Sequence, residues 1–450
     1  MERQTKNQIL LGFVLLLIIP AGSLVGPGQA AVTDRLPDQS PEKCIANPER
    51  PDASNPDVTG SISRVNDSQL RVSYEVANQS ASLEQFAIKL QTGATLVNQT
   101  GFEGSTFGSG EYWNPDAEKH ELVYQMESTQ TGDHQVNYPS DDNWMFAATP
   151  QHYGARVDLT AEPEGYIGGN TLYLGEYSTE HAKAGCQEFV AIIPETVRFG
   201  GVSNRLEELT TAARSLPVGH QYRTVRIFVS PEQPGDTLGF VSEWENEIVV
   251  VDRTVQIPTS TLWIHEYVHT VQDFRAQPDM WWFSEASAEY LSFRIAVESG
   301  YISPIEHDYL LGRGAQNFNQ SMITSPQGNV AYQRGAVVLS QLELELFDTY
   351  NQSVVDMVRE MNTERNPGQS DVVRWLRDDI GMPADDARHT LSLVNSGERL
   401  YPPFISSTSD SVRLRTALYV LKMPILQLMC GILGVLWLAD AAYTVFLEKN

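Results

Sequence analysis

The sequence predicts an α+β protein: a β-rich N-terminal domain, a second domain in which strands precede a helical half, and an apolar C-terminal segment. Three observations predict it. Between residues 61 and 159, short runs such as 70–76 and 122–126 alternate apolar and polar side chains and are separated by Gly, Asn and Asp. From about Glu188 onward, apolar strands at 224–230 and 247–251 come before stretches of helical periodicity. Finally, residues 417–438 carry no charge except Lys422.

Taken in order, residues 1–30 have the form of a secretory signal or signal anchor. Arg3 and Lys6 precede an apolar run over 9–19, followed by Pro20, Gly22 and the small-residue stretch Gly28-Gln29-Ala30. Cleavage after Ala30 and retention as an anchor are both open, and either exports the body. Residues 31–57, rich in Pro, Asp and Ser, form a linker. Residues 58–190 form the β-rich domain, a β-sandwich or saddle, with strands at 70–76, 86–90, 122–126 and 155–159. His120, His134, His152 and His181 match no metal motif there, and solvated loops are their expected place.

Residues 191–400 form the second domain. It has an amphipathic helix over 202–216, the two apolar strands, a helix over 261–274 opening after Pro258-Thr259-Ser260, and another from Trp281 to Tyr290. Helical periodicity continues through 342–346, 354–361 and 372–376, and His307-Asp308 is read as a solvated loop. Residues 401–411 are a polar hinge, and 412–450 hold a transmembrane anchor at 417–438, long enough to span a bilayer. A segment lying on the membrane surface is the alternative. Arg413, Arg415 and Lys422 would by the positive-inside tendency hold the preceding domain in the cytoplasm. The N-terminal signal outweighs them, because a large domain is translocated largely regardless of a few charges.

A net charge of −26 and a pI near 4.7 exclude nucleic acid and anionic lipid surfaces as partners. Of the 31 basic residues 24 are Arg and 7 are Lys, a bias that reads either as adaptation to high salt or as a solubilising extracellular surface. Cys44 and Cys186 could close a disulfide in an oxidising compartment, or could be two unrelated buried thiols. No cysteine lies near the motifs below, so a cysteine nucleophile is not expected.

Chemistry concentrates on the helix over 261–274. His265 and His269 stand one turn apart on one face, where two neutral imidazoles can take adjacent corners of a tetrahedral zinc site. Glu266, between them, can sit beside the metal without binding it and act as a general base toward water. The next helix offers Glu285 and Glu289, again one turn apart. Glu285 could supply the third protein ligand, while Glu289 could accept the free ring N–H of a ligand histidine and fix its tautomer.

These residues resemble the gluzincin metallopeptidases, in particular the aminopeptidase-like branch, whose third-ligand helix reads Trp-Leu-Asn-Glu-Gly-Phe-Ala-Glu-Tyr. Trp282-Phe283-Ser284-Glu285-Ala286-Ser287-Ala288-Glu289-Tyr290 is similar position by position. Downstream, Tyr332-Gln333-Arg334-Gly335-Ala336 looks like the branch's Tyr-Glu-Lys-Gly-Ala segment. The resemblance implies a zincin-like catalytic domain with Zn2+ on His265, His269 and Glu285, Glu266 as base and Tyr332 as oxyanion stabiliser. Two departures bear on specificity. Only 15 residues separate His269 from Glu285, and the branch's Gly-x-Met-Glu-Asn strand is matched only by Ser242-Glu243-Trp244-Glu245-Asn246. Glu245 could meet a substrate ammonium, or could be a solvated edge-strand carboxylate.

The expected function is an exported, membrane-anchored zinc metallopeptidase acting on peptides or proteins, with its catalytic domain outside the cell membrane. Aminopeptidase and endopeptidase action both remain open. The competing readings are a catalytically silent surface binding protein on the same scaffold, and a non-peptidase zinc hydrolase.

Overall fold

The computed structural model describes residues 44–46 and 56–395, apart from 79–82, 92, 105–109, 128, 132–133, 137, 199, 217, 236, 243–245, 257–260, 317–321 and 323–329. All of these belong to one compact unit, Arg35–Phe404. The signal at 1–30, the anchor at 417–438 and Glu245 lie outside the described residues. Among the described residues, no helix is long and apolar enough to cross a membrane.

Val58–Arg64 (β1), Gln69–Val76 (β2), Ala94–Thr100 (β3), His120–Met126 (β4) and Val157–Glu162 (β5) form a sheet in the order β5-β1-β2-β4-β3. Along β2, Leu70, Val72 and Tyr74 are buried while Arg71 and Glu75 face solvent, the period of two that a half-buried strand imposes. A second, four-stranded sheet contributes Ile88, Phe102 and Trp113 to the same apolar core, and Phe86, just before one of its strands, joins them. The four histidines expected in loops, His120, His134, His152 and His181, each lie on a strand, the last of them in the second large sheet described next. His120 is buried because its strand position turns it inward, where its ring stacks on Trp113 at 3.3 Å between centroids.

A hairpin of Gly165–Ile167 (β6) and Thr171–Leu174 (β7) leads to the second large sheet. Its strands are Tyr177–Ala184 (β8), Gln187–Pro194 (β9), Thr224–Ser230 (β10), Gly239–Val241 (β11) and Glu247–Val251 (β12), in the order β8-β9-β10-β12-β11. Strands β9, β10 and β12 run parallel, while β8 and β11 are antiparallel edges. Both faces are covered, which is why β12 is buried along its whole length. On one face Phe189, Ile227 and Val250 join a core with the helices Val202–Ser215 (α1) and Leu262–His269 (α2). On the other, Val190, Ile192, Phe228 and Val249 pack against Phe146 and Tyr173 of the β-rich half.

Two devices tie the halves together. The Glu247 carboxylate, fully buried, accepts backbone N–H groups of Gly169, of Asn170 at 3.0 Å and of Thr171 at 2.7 Å, all from the β6–β7 turn. Cys44 is bonded to Cys186 in the β8–β9 turn, with Cα atoms 5.8 Å apart, so the disulfide forms. Beside it Ile45 bridges to Tyr222 in parallel register.

The helical half follows. It comprises Trp281–Glu298 (α3), Pro304–Gln316 (α4), a π-helical turn Val330–Arg334 running into Gly335–Glu345 (α5), Val354–Met361 (α6), Gln369–Arg374 (α7) and Ala384–Asn395 (α8). The helix expected over 261–274 stops at His269. Thr270 Oγ1 bonds back to the Tyr267 carbonyl at 2.7 Å, and Asn362 takes the Val271 carbonyl and the Asp273 N–H at 2.9 Å each, so the chain turns away. His307 is not a solvated loop residue. It is buried on α4, with Nδ1 3.2 Å from Asp308.

Candidate metal centre

α2 is apolar on all sides except at two positions and the end of its last turn. Trp263, Ile264, Tyr267 and Val268 fill the core, and this packing forces the buried His265 and Glu266 toward the cleft. His269 closes the helix. α3 packs against α2 and brings Glu285 up to the two histidines. One ligand atom from each of His265, His269 and Glu285 lies within 4.8 Å of the others.

The two Nε2 atoms face each other at 3.1 Å, and Glu285 Oε2 is 3.4 Å from His265 Nε2 and 3.3 Å from His269 Nε2. Neither carboxylate contact has hydrogen-bond geometry, so this buried Oε2 is left without a hydrogen-bond partner. Two imidazole nitrogens and one orphaned carboxylate oxygen form a donor set that suits a divalent cation such as zinc. The electrostatics agree. Burial opposes charge on all three side chains, yet the imidazoles hold Glu285 well below the usual carboxylate range, and Glu285 raises both His265 and His269.

Each imidazole is held from behind. His265 Nδ1 meets Glu289 Oε2 at 3.2 Å, and His269 Nδ1 meets Gln272 Oε1 at 2.8 Å. Gln272 is itself fixed by donating to the Ser284 carbonyl at 2.9 Å and to Ser287 Oγ at 2.8 Å. These bonds leave each Nε2 to face the centre.

Tyr332 sits in the π-helical turn, its ring stacked on His265 at 5.5 Å and its phenol within the electrostatic reach of Glu285 and Glu266. Burial first, then the charges of Glu285 and Glu266, raise this phenol, so it stays a donor. The turn is anchored by Arg334, which donates to the Leu393 carbonyl at 3.1 Å. Glu266 faces β11: a Cβ on Gly239 would stand 2.9 Å from Glu266 Oε1. The cleft beside the carboxylate is therefore walled by a residue without a side chain, on the antiparallel edge strand.

The structure thus brings together His265, Glu266, His269, Glu285, Glu289 and Tyr332. His307 is not part of the metal-ligand group and pairs instead with Asp308, and Glu245 is not among the described residues. Sequence reading missed Gln272 and Gly239. Gln272, three residues after His269, was legible only as part of a continuing helix. Gly239 lies seven residues before Asn246 in the segment compared with the Gly-x-Met-Glu-Asn strand, and only the sheet pairing shows that it borders Glu266.

A mixed five-stranded sheet with an antiparallel edge strand above a two-histidine helix, followed by a helical half, defines a zincin-type α+β protein. Solved structures share this arrangement. An aminopeptidase N family protein from Idiomarina loihiensis matches over 76% of this chain and 77% of its own, at 14% identity and a TM-score of 0.53. An M1 zinc metallopeptidase from Deinococcus radiodurans, in a mutant form bound to a Tyr-Ser-Ala substrate, matches over 78% of this chain and 94% of its own, at 12% identity and a TM-score of 0.50. The chain therefore has the fold of the M1 zinc metallopeptidases. No protein-family profile matches the sequence, and no curated protein matches it.

Proposed function

We propose that the protein is a zinc-dependent peptidase in which His265, His269 and Glu285 hold the metal. The observation that carries this is the convergence of those three ligand atoms within 4.8 Å, with Glu266 and Tyr332 on the same cleft. When bound, zinc supplies Lewis acidity toward a scissile carbonyl and toward water. Glu266 takes the proton of the attacking water and returns it to the departing amine. Tyr332 donates its phenolic O–H to the oxygen on which negative charge develops, a contact that strengthens in the transition state. Glu289 and Gln272 keep the two imidazoles in the tautomer that presents Nε2 to the metal.

Export and membrane anchoring belong to the same proposal. The Cys44–Cys186 disulfide supports an oxidising compartment, and the apolar run at 417–438 supports an anchor. The test is hydrolysis of N-terminally free and N-terminally blocked peptides by the zinc-loaded protein. Cleavage of either class, abolished by chelation and restored by zinc, supports the reading. Cleavage of neither class by stoichiometrically loaded protein overturns it. Cleavage of free peptides alone marks an aminopeptidase, and cleavage of blocked ones an endopeptidase.

A further inference from the structure

Helices α3 and α5 carry a pair of nearly buried charges that the metal centre does not use. Arg294 of α3 pairs through Nη1 with Oε1 of Glu343 on α5, and through Nε with Glu298 Oε1 at 2.8 Å, one turn further along α3. The other oxygen of Glu343, Oε2, accepts the backbone N–H of Val354 at 2.5 Å, at the first residue of α6. The side chains of Arg294 and Glu343 are only 12% and 10% exposed, so both charges have largely left water.

Stability does not account for the pair. The attraction of two buried charges roughly offsets the cost of withdrawing them from water, and apolar residues of similar volume often stabilise a core as well or better. What the pair does fix is position. Gly335 of α5 lies against Ala286 of α3, and eight residues further along each helix Glu343 meets Arg294. Equal spacing means that the two helices run parallel and in step, pinned at two points about 12 Å apart at the helical rise of 1.5 Å per residue. The contact at Gly335 is apolar and has no preferred direction along the axis. The ion pair is directional, and its carboxylate is held from the far side by the α6 backbone. Tyr332 lies in the turn that runs into α5, and Glu285 precedes Ala286 on α3. A slip of α5 along α3 is therefore a slip of the phenol past Glu285 and His265.

We propose that Arg294 and Glu343 are positioning residues for Tyr332: their pairing sets the register of α5 against α3 and so holds the phenol at the metal centre. The inference rests on the oxyanion role given to Tyr332 above and adds the group that places it.

The experiment compares the full-length, zinc-loaded protein with its Arg294→Met/Glu343→Gln variant, which removes both charges and leaves an amide oxygen for the Val354 N–H. Peptide hydrolysis is measured for both, with Tyr332 present and again in the Tyr332→Phe background, and amide hydrogen exchange over 330–334 is followed in parallel. The proposal expects kcat to fall roughly tenfold with KM nearly unchanged, as for a slightly misplaced group. It expects faster exchange over 330–334, and no further loss of kcat in the Tyr332→Phe background, because both changes then act through one group. Arg294→Lys, which keeps a cation opposite Glu343, recovers most of kcat. An equal kcat loss in both backgrounds overturns the proposal, since the pair then acts on the fold at large. Unchanged exchange over 330–334 overturns it as well. If none of these proteins cleaves a peptide, the peptidase reading fails while the exchange still decides: faster exchange confined to 330–334 upholds the register, and unchanged exchange overturns it.

Discussion

Glu285 Oε2, buried between two imidazoles without a hydrogen bond of its own, is the atom that most needs a cation. The residues around it make separable predictions. Glu266→Gln should leave metal bound and lower kcat by about 10²–10⁴-fold, the span of general-base catalysis. Tyr332→Phe should lower kcat with KM nearly unchanged, by roughly 10²-fold for one oxyanion donor. A rise in KM alone would remove Tyr332 from that role. In the metal-free protein burial works against charge on His265, but Glu285 and Glu289 together push it up to about 10. Below that pH the ring holds a proton that the metal must displace, so metal affinity rises as pH rises toward 10. Zinc titrations at neutral pH in two buffers of different ionisation heat should therefore show proton release. No buffer dependence would contradict the raised imidazole.

At the scale of elements, the site depends on how closely α3 and the Tyr332 segment approach. Gly335 permits it, because a Cβ there would lie 2.4 Å from Ala286 Cβ on α3. Gly335→Val should destabilise the protein by roughly 1–3 kcal/mol through overpacking and lower kcat further by displacing Tyr332; thermal melts and kinetics measure both. An unchanged melting temperature would show that the helices part at no cost. The elements that carry the metal site were largely legible in the sequence, since paired His on α2 and paired Glu on α3 depend only on helical periodicity. Strands β10 and β12 were legible as apolar runs. What escaped depends on distant partners. Asn362 takes over the backbone after His269, so the helix stops short and Gln272 turns back to His269. Glu247 looks like a strand-entry carboxylate until the β6–β7 turn supplies its three N–H donors. His120 looks solvated until Trp113, seven residues earlier on another strand, stacks on it.

At the scale of the whole molecule, the β-rich half forms the second cover of the five-stranded mixed sheet. The Cys44–Cys186 bond fastens the N-terminal segment to that sheet across 142 residues of sequence. Cys186→Ser should cost about 2–5 kcal/mol of stability, read as a lower denaturation midpoint, with the intact protein showing the same loss under reductant. An equal midpoint for both proteins would mean that the bridge constrains nothing. The function of this cleft depends on the metal, and X-ray absorption at the zinc edge on purified protein reads that metal directly. The prediction is one bound zinc with two imidazole nitrogens and one carboxylate oxygen at about 2.0–2.2 Å, lost in His265→Ala and kept in Glu266→Gln. Well-folded protein that binds no stoichiometric zinc, or a zinc shell that survives His265→Ala, would contradict it.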